Sequence, residues 1–344
     1  MSGHNLDGRD TCGSRLMKID AKPRLSVIMP IYNGARFLRE TIQSVLNQSF
    51  SDFEVIAIDD GSTDGSTRIL GEFPEIAVLS QANAGQSAAR NLGIERANAE
   101  LIALIDQDDR WYPTKIAQQI AVLEHQPHIG VHYSDLDQID DRGEIIKTRT
   151  IAASKLCHPK RSLTDCLRED MFIVPSAVMF RRRVFMEAGG FDEELSGYED
   201  DDLFLRMFPL TSFEYCREPL VQWRVYRTSS SHSPRMDLSR RIYFKKLMAS
   251  FPDDPTRGLH YRRDVIVPRF FKTYLVAYEV ARACGFAEKC DFIRRDLLDT
   301  VGPHLGWRGR LAAWLLTRQA RWSKHLLLLG RRMPKAIRRL VGPR

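Results

Sequence analysis

From Leu25 onward the chain alternates short apolar runs with stretches whose apolar residues recur every three or four positions. Residues 25–31, 53–58, 76–79 and 101–105 are short, apolar and bounded by turn or charged residues, the pattern of strands covered on both faces. Between them, about residues 35–47 set Phe37, Leu38, Ile42, Val45 and Leu46 on one helical face, and about 87–97 do the same with Ala88, Leu92 and Ile94. Pro113 suits a first helical turn, after which Ile116, Ile120 and Leu123 keep helical spacing. The alternation predicts strand–helix–strand units around a mostly parallel sheet, an α/β class. Beyond Gly130 the pattern is mixed. It predicts strands at 131–133, 177–180, 213–215 and 220–225, a hairpin at about 141–143 and an acidic helix from about Glu199. After about Ser233 it is helical to the end, with Gly285 a helix stop and Gly302-Pro303 a break.

A chain of 344 residues with 43% hydrophobic content holds one large α/β domain and a smaller appendage, and excludes global disorder. The net charge of +7 is unevenly placed. Residues 300–344 carry eleven Lys/Arg and no Asp or Glu, so the rest of the chain carries −4. Basic character therefore belongs to the tail, and nucleic acid is not an expected partner of the main body. The six cysteines show neither paired short spacing nor a His partner at zinc distance, which predicts free thiols in a reducing compartment. Residues 1–23 lack the apolar stretch of a signal peptide and read as a flexible arm. No run approaches the ~18 apolar residues of a membrane-spanning helix.

Three polar clusters follow predicted strands: Tyr32-Asn33-Gly34, Asp59-Asp60-Gly61-Ser62 and Asp106-Gln107-Asp108-Asp109. In open α/β sheets such strand ends form the ligand crevice, so separate segments are predicted to converge on one site. Asp106 and Asp108, two apart, share a side if strand geometry continues, and a hard Mg²⁺ or Mn²⁺ prefers such carboxylates. The competing reading is a solvated acidic turn. The stretch from Asp60 partly mimics a calcium loop, but a strand precedes it and Gly71 stands where a bidentate Glu is needed. A turn presenting one carboxylate fits better.

Four stretches together, Leu25-Ser26-Val27-Ile28-Met29-Pro30-Ile31-Tyr32-Asn33-Gly34, Asp59-Asp60-Gly61-Ser62-Thr63-Asp64, Ala84-Gly85-Gln86-Ser87-Ala88-Ala89-Arg90-Asn91-Leu92-Gly93 and Asp106-Gln107-Asp108-Asp109, resemble the successive motifs of glycosyltransferase family 2 over about residues 25–231. The resemblance implies a GT-A type, Rossmann-like domain, a nucleotide-diphosphate sugar donor, a divalent metal and inversion at the anomeric carbon. It implies that Pro30, Tyr32, Asn33, Asp60, Arg90 and Asp106 bind the donor and that Asp106, Asp108 and Asp109 hold the metal. Tyr198-Glu199-Asp200-Asp201-Asp202-Leu203-Phe204-Leu205-Arg206 resembles the family's acceptor-side motif. By that match Asp200 is the base, Glu199 a supporting contact, and Asp202 an acceptor-side residue that orients the helix. One departure stands out: Trp223-Arg224-Val225-Tyr226 puts Tyr226 where many members carry a histidine. A third metal or diphosphate contact from there is in doubt, Arg224 or Arg227 being electrostatic substitutes, and Trp223 reads as core.

The domains predicted are thus an arm (1–23), a catalytic domain (24–235) and a helical C-terminal extension (236–344), basic and amphipathic from about 306. In that tail Trp307, Leu311, Trp314, Leu315, Trp322, Leu326 and Leu329 approximate one helical stripe, with Arg and Lys mostly off it. Such a segment suits an anionic membrane surface and predicts a cytoplasmic enzyme, peripheral at the inner face of the plasma membrane, with a glycan or lipid-linked acceptor. The alternative function is a catalytically silent relative acting as a nucleotide- or glycan-binding scaffold. A nucleotidyltransferase lacks support without a glycine-rich basic loop before the first helix. A dinucleotide-dependent oxidoreductase lacks Gly-x-Gly-x-x-Gly after the first strand.

Overall fold

The computed structural model describes residues 22–154, 156–226, 235–306 and 309, so residues 1–21 of the predicted arm and the basic tail from 307 lie almost wholly outside the described residues. Among the described residues, strands are β1 Leu25–Ile31, β2 Phe53–Asp59, β3 Ala77–Ser80, β4 Leu101–Leu104, β5 Arg110–Trp111, β6 Ile129–Ile139, β7 Ile145–Lys147, β8 Val178–Arg181 and β9 Ser212–Arg224. The helices are α1 Leu38–Leu46, α2 Ser66–Leu70, α3 Gln86–Arg96, α4 Lys115–His125, α5 Thr150–Ala153, α6 Leu163–Arg168, α7 Arg182–Glu187, α8 Glu199–Met207, α9 Arg235–Ser250, α10 Val267–Ala283 and α11 Ala287–Thr300.

All these strands join one mixed sheet in the order β3-β2-β1-β4-β8-β6-β9-β5, with β7 paired to β6. The half β3-β2-β1-β4 is parallel, and β1 is buried along all seven residues, as a central strand covered on both faces requires. Helix α3 lies close on this half: a Cβ on Gly93 would meet Ile58 Cδ1 at 2.5 Å and Ile28 Cγ2 at 2.6 Å, so only glycine permits that approach. Past β4 the pairing turns antiparallel through β8 and β6, while β9 runs parallel to β6 and antiparallel to β5.

The two strands predicted at 213–215 and 220–225 are one strand, β9, of 13 residues. The register slips between Ser134 and Asp135, with Cys216 opposite the first and Pro219 opposite the second. Pro219 has no N–H for the ladder and sits at that bulge, which is why the pattern reads as two pieces. Pro113 likewise precedes the helix instead of entering it, since α4 starts at Lys115 after Thr114.

Helices α9 to α11 share the core of the sheet domain. Tyr243, Phe244 and Leu247 of α9, Phe270, Phe271 and Tyr274 of α10, and Ile293 and Leu297 of α11 belong to one hydrophobic cluster with the strands. No helix among the described residues is long and apolar enough to cross a membrane.

Candidate functional site

Because β2, β1 and β4 are parallel neighbours, the loops leaving their C-terminal ends meet on one side of the sheet. Gln107 stitches two of these loops together as a backbone ladder would: its Oε1 accepts from Tyr32 N at 2.8 Å and its Nε2 donates to Tyr32 O at 3.1 Å. A Cβ on Gly34 would fall 2.3 Å from Gln107 Oε1, so a larger residue there would push the Gln107 amide away from Tyr32. The third loop is tied in by Asn33, whose Oδ1 accepts from Thr63 N at 2.8 Å while its own N–H donates to Ser62 Oγ at 3.0 Å. An open cleft of about 340 Å³ lies over this junction. Pro30, Tyr32, Asn33, Asp60, Asp106 and Asp108 all line it, together with Gln86, Trp223 and Tyr226.

Asp60 does more than face the cleft. Its Oδ1 accepts from Gln81 Nε2 at 2.7 Å and Ala84 N at 2.8 Å, and its Oδ2 from Gly85 N at 2.9 Å. Gly85 has φ +94°, a conformation that favours glycine, and leads directly into α3. Asp60 thereby sets where α3 begins.

Arg90 of α3 is 1% exposed and does not line the cleft. It bridges two carboxylates, donating from Nη2 to Asp106 Oδ1 at 2.6 Å and from Nη1 to Glu199 Oε1 at 2.9 Å, with Phe191 against its face. Burial alone would lower its pKa; the charges and hydrogen bonds of Asp106 and Glu199 outweigh that and raise it. Arg90 is thus a strut between the β4 edge and α8, where the resemblance implied a direct donor contact.

Asp109 also departs from its expected role. It is 1% exposed, and both oxygens are taken, Oδ2 by Ser176 Oγ at 2.5 Å and Oδ1 by Arg224 N at 2.9 Å. The turn after β4 sends Asp109 into the interior and leaves Asp106 and Asp108 at the cleft. Asp202, expected on the acceptor side, is buried and bonded to Arg206 at 2.7 Å and Lys246 at 3.0 Å. Glu199, 4% exposed, bonds Arg90 and Gln86.

Tyr226 donates to Asp108 Oδ2 at 2.8 Å, so this phenol, at the position where a histidine was expected, reaches the same carboxylate cluster. Arg224 is committed: it donates to Glu40 Oε2 at 2.6 Å and to Asp108 O at 2.8 Å, and stacks on Phe37. Arg227 lies outside the described residues. Trp223 lines the cleft, contrary to a purely core role. Sequence reasoning missed Gln107, although it stands between two singled-out aspartates. It also missed Ser176, which accepts from Asp106 N at 3.0 Å and comes from a distant turn that no local pattern marks.

Among the described residues no hydrogen bond from another residue reaches Oδ2 of Asp106 or Oδ1 of Asp108. No group of three His, Cys, Asp or Glu among them could close round a metal. A hard divalent cation held by two carboxylates and completed by substrate phosphates and water fits this arrangement. Burial and the charge of Asp106 push Asp108 up to about 6, against the hydrogen bond from Tyr226 that pulls it down. Asp109 is raised well above the usual carboxylate range, first by burial and then by Asp108 and Asp106. Burial, with Glu199, Asp170 and Asp201 beside it, does the same to Asp200.

Residues 26–189 match the family model Glycosyl transferase family 2. An uncharacterized glycosyltransferase of Rickettsia typhi is 27% identical over 300 residues, covering 80% of this chain and 90% of that one. The putative teichuronic acid biosynthesis glycosyltransferase TuaG of Bacillus subtilis is 39% identical over 107 residues, 30% of this chain and 42% of its own. The chain likewise spans only 31% of an uncharacterized glycosyltransferase of Rickettsia bellii and 32% of chondroitin synthase of Escherichia coli. Among solved structures, TarS of S. aureus in complex with UDP superposes with TM-score 0.57 at 16% identity, covering 85% of this chain and 86% of that one. The mannosyltransferase PcManGT of Pyrobaculum calidifontis, in complex with GDP-Man and Mn²⁺, gives 0.53 at 18% identity over 93% and 81%. At these identities the structural likeness speaks for the fold alone. The chain carries a glycosyltransferase family 2 domain on a GT-A fold, has relatives in polysaccharide synthesis, and is a glycosyltransferase.

The raised pKa of Asp108 yields a stability prediction. The folded state binds this proton more tightly than the unfolded chain does, so the cost of the ionised form is absent below about pH 4, grows towards pH 6 and is constant above. Asp108→Asn keeps an acceptor for Tyr226 and removes that cost. Ligand-free Asp108→Asn protein is expected to be more stable than wild type by on the order of 1–3 kcal/mol at pH 7.5 and equal to it at pH 4. Thermal melts at the two pH values check this; an equal difference at both would contradict it.

Proposed function

We propose that this glycosyltransferase moves a sugar, with inversion, from a nucleotide-diphosphate sugar to a hydroxyl of a glycan or lipid-linked acceptor, in cell-surface polysaccharide or glycoconjugate synthesis. The observation that carries the reading is the pair of carboxylate oxygens, one each on Asp106 and Asp108, that receive no hydrogen bond from another of the described residues, in a cleft lined also by Pro30, Tyr32 and Asp60. Tyr32, 44% exposed, offers its ring to the nucleobase, and Asp60, which lines the same cleft, keeps acceptor capacity beyond its three hydrogen bonds. Asp106 and Asp108 would hold Mg²⁺ or Mn²⁺, as the Mn²⁺ and GDP-Man of PcManGT suggest for this fold. When bound, that cation neutralises charge developing on the leaving diphosphate.

Asp200, one residue along α8 from the Arg90-bonded Glu199 and outside the residues that line the donor cleft, takes the proton of the attacking acceptor hydroxyl from the acceptor side. Its raised pKa makes it a stronger base than an ordinary carboxylate. The base acts ionised, so transfer is lost as pH falls through that raised pKa, above the ordinary 3.8. Asp200→Asn is expected to lower the rate of transfer by about 10²–10⁴ while calorimetry shows UDP or GDP binding with Mn²⁺ unchanged. Undiminished transfer by Asp200→Asn would remove Asp200 from the mechanism.

The basic stripe from about 306 supports a peripheral place at the cytoplasmic face of the plasma membrane. Flotation with anionic liposomes is expected to carry the full chain and leave behind a form lacking 307–344. Equal partitioning of both would contradict this placement.

A further inference from the structure

The acidic start of α8 is anchored unequally. Glu199 is held by Arg90 at 2.9 Å and Gln86 at 2.6 Å, and Asp202 by Arg206 at 2.7 Å and Lys246 at 3.0 Å. Asp201, 3% exposed, is held from a third direction: Oδ2 accepts from Arg269 Nη2 of α10 at 2.6 Å and from Tyr243 OH of α9 at 2.6 Å, and Oδ1 from Met171 N at 2.6 Å. Arg269 is itself buried, and its Nη1 donates to Cys166 O at 3.2 Å. Among the described residues the carboxylate of Asp200 receives only the N–H of Asp201, at 2.8 Å. Successive helical residues point about 100° apart, so three anchors on 199, 201 and 202 fix the turn in rotation and height and leave the fourth carboxylate unclaimed.

We infer that Arg269 and Tyr243 are positioning residues for sugar transfer: acting through Asp201, the C-terminal helices lock the first turn of α8 and so aim Asp200 at the acceptor. The inference rests on reading Asp200 as the base. An ion pair between buried groups holds a charged side chain in one place only when its partner is equally fixed, and Arg269 is fixed by Cys166 O and by the rings of Tyr243 and Phe270, each 5.7 Å from the guanidinium. Helices α9 and α10 therefore work as part of the acceptor side, and their covering of the core is only half their contribution.

The test uses the full chain. Removing Arg269 outright strands a buried carboxylate and risks misfolding, so the variants are Tyr243→Phe, which deletes one hydroxyl, and Arg269→Lys, which keeps the charge. Deuterium uptake by the peptide spanning 199–203 and release of UDP or GDP from UDP-GlcNAc and GDP-mannose are measured for each. Both variants are expected to exchange faster at 199–203, and kcat to fall about tenfold to a hundredfold with the donor KM unchanged. Unchanged exchange at 199–203 would overturn the inference whatever the nucleotide sugars do, and so would a KM that rises in step with the fall in kcat. The Asp200→Asn variant separates the two readings. Full activity in it ends the role of Asp200 alone, whereas an inactive Asp200→Asn beside fully active Tyr243→Phe and Arg269→Lys ends the role of the C-terminal helices alone.

Discussion

The bridge from Arg90 to Asp106 and Glu199 is the interaction on which the site is built. A guanidinium that is 1% exposed is stable in the interior only if carboxylates compensate its lost hydration, and here the two that do so come from separate elements, the end of β4 and the start of α8. Arg90 stands where it does because Asp60 holds the Gly85 turn from which α3 starts, and because Gly93 lets α3 lie against β1 and β2. The end of β2, the start of α3, the end of β4 and the start of α8 are linked through charged and polar contacts. A shift in any one is transmitted to Asp106, which faces the cleft.

Around this strut the fold concentrates negative charge. Asp106, Asp108 and Asp109 lie within four residues, and burial with mutual repulsion raises the last two. Ser176 and Arg224 N–H stabilise Asp109, and Tyr226 stabilises Asp108. Compensation for Asp108 by Tyr226 and the nearby charge of Arg224 is incomplete among the described residues, where one of its oxygens receives no hydrogen bond from another residue. Such an imbalance is costly in the folded protein, and the cation proposed here would relieve it, the usual relation between a binding site and the stability of its scaffold.

Much of this was legible in the sequence, for physical reasons. Strands β1, β2 and β4 are largely buried, so they read as short, mostly apolar runs broken only by Ser26, Glu54 and the terminal Asp59, and the loops that follow carry the polar residues that line the cleft. The start of α8 at Glu199 was legible from its acidic first turn. What the pattern hid is direction. Asp108 and Asp109 are chemically alike and adjacent, and only the turn after β4 decides that one faces the cleft and the other Ser176. Arg90 carries a charge that a sequence assigns to a ligand as readily as to a buried strut. The continuity of β9 through Pro219 and the hold of α9 and α10 on Asp201 depend on pairings across long sequence separations, beyond any local period.

The central claim, a cation-holding donor site assembled on Arg90, is tested most directly by anomalous diffraction from crystals grown with Mn²⁺ and UDP or GDP. The account predicts an anomalous peak in contact with Asp106 and Asp108, with Arg90 still bridging Asp106 and Glu199 and Asp109 still turned to Ser176. A nucleotide bound without such a peak, or a peak coordinated by Asp109 in place of Asp108, would contradict it.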